Sequence, residues 1–191
     1  MVPAVSTAIV RSFPLSEALG MIKEAGFDNV EIGYQHLSGP ADVVKVVETA
    51  ARAHVTVTSI HLPFGGLDIS DLEEANRREV CDVLGAYIKH SAEQGIKLVV
   101  LHPNSYSKAA DRAEYDAKNK QTEVSLLELG DLAVELGICI AIENQPCYWL
   151  RAGGDIAKLR EMVLGLGCAH LGLCVDTVHA GYNSLDPIQQ I

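Results

Sequence analysis

A chain of 191 residues, 48% of them hydrophobic, is long enough to bury one sizeable core, and a single domain over 1–191 is expected. Its 15 basic and 25 acidic residues give a formal charge of −10, which excludes a general attraction to phosphate backbones and makes nucleic acid a disfavoured partner. No stretch offers the ~20 apolar residues of a membrane helix, and the N-terminus lacks the basic and apolar regions of a secretory signal, so no membrane partner is expected.

The pattern alternates strand and helix from end to end. Residues 4–10 read as a first strand. Pro14 opens a helix with Leu15, Ala18, Leu19 and Ile22 on one face, closed by Gly26. A second strand is predicted over 29–34, a helix over 41–53 with Val43, Val46, Val47 and Ala50 in its stripe, and a third strand over 55–61. After a long loop, Ser70 and Glu73 have the spacing of a capping box. Val80, Val83, Leu84, Tyr87 and Ile88 then form a helical stripe that ends at Gly95. A fourth strand is predicted over 97–102, a polar loop over 103–114 and a helix over 115–136 closed by Gly137. A fifth strand covers 138–143, a helix lies near 155–164 and a sixth strand covers 170–176; the tail from Tyr182 to Ile191 has no clear pattern.

Strict alternation of this kind implies a parallel α/β sheet. Two architectures compete, an open doubly wound sheet and a (β/α) barrel of TIM type. The first strand leads into Ile9-Val10-Arg11-Ser12-Phe13-Pro14 without the glycine-rich phosphate turn of the doubly wound fold. Polar residues at the ends of several strands suit the barrel better. A complete barrel typically needs ~250 residues, so an incomplete barrel of about six of the eight units is expected, with open edges through which copies of the chain could pair.

The apolar runs end in residues that bind metals or move protons. Val55–Ile60 runs into His61, Leu98–Leu101 into His102, Ile138–Ile142 into Glu143 and Leu171–Val175 into Asp176, with His179 one turn later; a weaker run ends at Glu31. Glu143 is read as a metal-bridging carboxylate or general base, against the plainer reading of a salt-bridged strand end. His61, His102, Glu143, Asp176 and His179 together suit a divalent metal, Zn, Mn or Co rather than Mg, which favours carboxylates alone. Asn144 and Trp149 are candidate substrate-binding residues, and Glu31 either hydrogen-bonds a substrate or organises the bottom of the site. Trp149 and Phe64 either stack on a sugar face or cover the site. Arg77 and Arg78, beside Glu73, Glu74 and Glu79, are expected on a solvated helix face. The five cysteines lack CxxC spacing and read as reduced thiols of a cytoplasmic protein, Cys139 and Cys174 as small core residues and Cys147 as a loop thiol with no paired base.

At these residues the chain resembles the xylose isomerase-like TIM barrel superfamily, which includes sugar and sugar phosphate isomerases and epimerases and the zinc-dependent apurinic endonucleases. The resemblance rests on Gly26-Phe27-Asp28-Asn29-Val30-Glu31-Ile32, on His61-Leu62-Pro63-Phe64 with Leu67-Asp68-Ile69-Ser70 after it, and on Leu101-His102-Pro103. Ile142-Glu143-Asn144 and Cys174-Val175-Asp176-Thr177-Val178-His179-Ala180 complete it. By that resemblance His61 and His102 match first-metal ligands of the endonuclease branch, Glu143 the bridging glutamate, Asp176 a second-metal ligand and His179 a third-metal ligand. In the epimerase branch Glu143 and Asp176 match metal ligands, Glu143 doubles as the acid–base residue, and His179 resembles a substrate-binding histidine. Both branches draw further ligands from strands seven and eight, beyond the six read here.

Three functions follow in order. The first is metal-dependent isomerisation or epimerisation of a sugar-like small molecule, with Glu143 taking the proton next to a carbonyl to give an enediolate. The second is zinc-dependent cleavage of abasic nucleic acid, favoured by His61 and His102 together. The third is a non-catalytic barrel fragment that binds metal or partner chains.

Overall fold

The computed structural model of the chain describes residues 3–104, 108–146 and 153–183, so Cys147 and Trp149 lie outside the described residues. In chain order the elements are β1 (Val5–Ser6), α1 (Leu15–Glu24), β2 (Asn29–Ile32), α2 (Asp42–Arg52) and β3 (Thr56–His61). They continue with α3 (Glu74–Glu93), β4 (Leu98–Leu101), α4 (Arg112–Leu136), β5 (Cys139–Glu143), α5 (Ile156–Gly165), β6 (Leu171–Cys174) and α6 (Thr177–Tyr182).

The six strands form one sheet in sequence order, and each adjacent pair is parallel. A doubly wound sheet reverses direction part-way. This one does not, and α1 contacts α2, α2 contacts α3 and α3 contacts α4. Successive crossovers therefore wind one way, as in a (β/α) barrel, and the open sheet is TIM-barrel-like. Val30, Ile32, Ile60, Val99, Leu101, Ile140 and Ile142 are buried in the strands. Leu19, Ile22, Val43, Val46, Leu84, Ile88, Leu126 and Leu129 meet them from the helices in one core. Covered strands of this kind read as continuous apolar runs, which is why they were visible.

The structure corrects several element boundaries. The first strand is two residues long, not seven: the Ser6 hydroxyl accepts a hydrogen bond from Ala8 N and turns the chain into a 3-10 segment, Thr7–Val10. The capping box expected at Ser70 does not form. The Ser70 hydroxyl donates to Asp68 instead, Asp71 accepts from Glu73 N at 2.8 Å, and the helix starts at Glu74. A reciprocal cap forms where a loop was expected. Asp111 accepts from Glu114 N at 2.9 Å and Glu114 accepts from Ala110 N at 2.7 Å, so α4 begins at Arg112. That helix ends at Gly137, whose φ of 63° is a left-handed conformation that glycine adopts without strain. α6, Thr177–Tyr182, carries His179 one turn after Asp176 and ends where the patternless tail was expected to begin.

Arg77 is not on a solvated face. It is 1% exposed and holds α3 to α4. Its guanidinium donates to both oxygens of Glu128 at 2.9 Å, to Ser125 Oγ at 3.0 Å and to Glu74 at 2.9 and 3.0 Å. Arg78 is exposed as expected and shares Glu74. Cys139 is exposed at the first position of β5, not a core residue.

Candidate metal centre

The carboxyl ends of the strands converge on a cavity of about 840 Å³ lined by Glu31, His61, His102, Glu143, Asp176 and His179. Glu31 reaches it through an irregularity in the ladder: the register between β2 and β3 shifts at Val30/Glu31, which brings Glu31 opposite Ser59. Ser59 Oγ donates to Glu31 Oε2 at 3.2 Å. His61 and Glu143 are the last residues of β3 and β5, and His102 directly follows β4.

Glu143 is the hub. Its Oε2 lies 2.9 Å from His61 Nε2 and 3.0 Å from His102 Nε2, and its Oε1 lies 3.4 Å from His179 Nδ1. Burial opposes its charge, but the hydrogen bonds from His102 and His61 outweigh that and hold the carboxyl well below the usual carboxylate range. His61 Nδ1 is 2.9 Å from the Leu62 carbonyl, which can only accept, so Nδ1 carries a proton. A neutral His61 would then turn the Nε2 lone pair toward a carboxylate oxygen. The contact needs a positive charge, either a second proton on the ring or a cation. Burial lowers the affinity of His61 for that proton, yet Glu143 overcomes this and the net shift is upward; for His102 burial wins and the shift is downward. The side-chain exposures, 16% for His61 and 2% for His102, fit that division.

Asp176 caps α6: its Oδ1 accepts from Val178 N at 2.7 Å and His179 N at 2.8 Å. Oδ2 is 3.7 Å from His179 Nδ1. Two donor sets result, His61–His102–Glu143 and Glu143–Asp176–His179, each with its ligand atoms within 4.8 Å of one another. Imidazole nitrogens and carboxylate oxygens so close around one buried glutamate fit a divalent metal.

Around this centre Phe64 stacks on His102, with centroids 3.9 Å apart and planes at 18°, and Tyr34 meets Phe64 edge-on at 4.6 Å. Phe64 also lines the cavity. Asn144 is 1% exposed and is not among the residues lining the cavity. Both ends of its amide are engaged by the backbone of Asp176. Arg11, Tyr34 and Cys174 line the cavity without having been singled out for it. Tyr34, just beyond the end of β2, and Cys174, the last residue of β6, share the strand-end position that marks the other lining residues. Burial, with the charge of Glu143, pushes the Cys174 thiol up to about 12, so it stays protonated and inert.

The family model for the xylose isomerase-like TIM barrel matches residues 19–191. The chain belongs to this family. The xylose isomerase-like chain is 26% identical over 179 residues to an uncharacterized protein of Methanocaldococcus jannaschii, covering 92% of itself and 60% of that relative. It therefore spans less than two thirds of that relative's length. Among solved structures, a D-tagatose 3-epimerase-like protein superposes with a TM-score of 0.84 at 25% identity, covering 100% of this chain and 70% of the other. A 3-keto-D-glucoside 4-epimerase from E. coli gives 0.76 at 20% identity, covering 93% and 68%, a likeness of fold.

Proposed function

We propose that this chain carries the metal-binding and proton-transfer part of a sugar isomerase or epimerase site. The observation that carries the reading is the Glu143 carboxylate, enclosed by His61, His102 and His179 at the head of the cavity. His61, His102, Glu143, Asp176 and His179 would hold the divalent metal. Bound there, it would supply Lewis-acid stabilisation of charge developing on the oxygens of a hydroxy-carbonyl substrate. Glu143 is ionised at neutral pH, the form a base needs, and would take the proton from the carbon beside the carbonyl. Glu31, kept in place by Ser59, would accept a hydrogen bond from a sugar hydroxyl. Trp149 would stack on a sugar face. The acidic lining and the charge of −10 suit a small neutral polyol.

Cys81, Cys139, Cys168 and Cys174 are free thiols, which supports a reducing, cytoplasmic setting. Among the described residues no helix is long and apolar enough to cross a membrane. β1 and β6 each pair on one side only among the described residues, which supports association of copies through these edges.

The pairing of His61 and His102 on one carboxylate oxygen favours a second reading, zinc-dependent cleavage of abasic nucleic acid. The test is deuterium wash-in. The chain with Mn(II) is incubated in heavy water with a panel of free and phosphorylated ketoses and followed by NMR. Exchange at a carbon beside the carbonyl, reduced at least about 100-fold in Glu143→Gln, is expected. Abasic-DNA cleavage without exchange on any ketose would replace this reading by the second.

A further inference from the structure

The ladder between β5 and β6 ends with the pair Glu143 and Cys174. One backbone bond continues it, from Asn144 N to the Cys174 carbonyl at 3.2 Å. Beyond that point the next rung is made by a side chain. Asn144 Nδ2 donates to the Asp176 carbonyl at 3.1 Å, and Asp176 N donates to Asn144 Oδ1 at 2.6 Å. A carboxamide presents one donor face and one acceptor face in a plane, as a peptide unit does, so it can stand in for the missing strand residue. The same residue acts again through its main chain: its carbonyl accepts from His179 Nδ1 at 2.8 Å. Since a carbonyl has no proton to give, that contact puts the proton on Nδ1 and leaves Nε2 with the lone pair.

We propose that Asn144 is a positioning residue, which registers Asp176 and His179 against the adjacent Glu143 so that the three form one donor set. It is not a substrate contact, because both polar ends of its amide are committed and it is buried. The inference deepens the metal-dependent reading above and rests on it. Asp176 Oδ1 is tied to the first turn of α6, so where the Asp176 backbone sits decides where Oδ2 points and where α6 carries His179. Without the Asn144 amide, one backbone bond to Cys174 and the His179 contact would remain to hold this corner to Asn144. Outer-shell hydrogen bonds of this kind typically change metal affinity about 10- to 100-fold when removed.

The test uses the full chain and the variants Asn144→Ala and Asn144→Ser; the serine keeps a hydroxyl and guards against failure of the alanine variant to fold. Two measurements are made on metal-free protein: hydrogen exchange at the Asp176 amide, and the tautomer of His179 from long-range proton–nitrogen NMR spectra. A third is Mn(II) affinity by calorimetry. The expected result is exchange at Asp176 at least about tenfold faster in the alanine variant, loss of the single Nδ1–H tautomer, and an Mn(II) Kd raised about 10- to 100-fold. The circular dichroism spectrum should be unchanged and the serine variant should fall in between. Unchanged exchange, or faster exchange with an unchanged Kd, would overturn the positioning role. If the parent chain itself binds no Mn(II), the metal reading fails, and with it the metal part of this role; the exchange and tautomer data still report whether Asn144 holds Asp176 and His179.

Discussion

Phe64 lies almost parallel to the imidazole of His102, with their centroids 3.9 Å apart. The ring closes one face of a buried histidine whose Nε2 is 3.0 Å from Glu143. Stacking of this kind restricts the imidazole to orientations that keep Nε2 on the carboxylate. Phe64→Ala is expected to weaken Mn(II) binding about tenfold and to lower the unfolding free energy by about 1 kcal/mol. Calorimetry and urea unfolding measure the two effects. An unchanged Kd would mean that the stack only covers the site.

Arg77 joins α3 to α4 through Glu74 and Glu128. Arg77→Leu removes the donors for both glutamates and for Ser125, and is expected to lower stability by about 2 kcal/mol. The pH profile should change with it. Hydrogen bonds from Arg77 and then Arg78 hold the Glu74 carboxyl down from 4.5 to about 2, and Arg77 lowers Glu128 as well. The unfolded chain therefore takes up these protons first as pH falls. The stabilisation is complete above about pH 4.5 and is lost progressively toward pH 2. Thermal unfolding followed from pH 6 to pH 3 should show a shallower decline in Arg77→Leu than in the parent chain. Parallel curves would show that the pair adds no acid sensitivity.

Asp111 caps the helix that carries Ser125 and Glu128. Asp111→Ala removes the acceptor for Glu114 N. It is expected to lower stability by about 1 kcal/mol, with Mn(II) affinity unchanged because the cap lies outside the cavity lining. Denaturant unfolding beside calorimetry separates the two, and a weaker Kd would tie the cap to the site.

Positions set by a residue's own strand were legible in the sequence. His61, Glu143 and Asp176 were findable because buried parallel strands are continuous apolar runs and the polar residue that stops each run marks its carboxyl end. Roles set by a distant partner were not. Arg77 looked solvated beside its acidic neighbours, and its burial depends on Ser125 and Glu128, 48 and 51 residues away. Ser70 and Glu73 had the spacing of a cap, but Asp68 took the Ser70 hydroxyl and the cap formed at Asp111 and Glu114. The sequence marks Asn144 only as a candidate substrate contact beside Glu143. Its two bonds to Asp176, 32 residues on, are visible only in three dimensions.

The most direct measurement is the metal content of the purified, unchelated chain by inductively coupled plasma mass spectrometry, beside a Glu143→Gln/Asp176→Asn double variant that folds. Near-stoichiometric Zn, Mn or Co in the parent chain, lost in the variant, is the predicted result. A parent chain that retains none of them after incubation with Zn(II) and Mn(II), or a variant that retains as much, would contradict a metal centre built on Glu143.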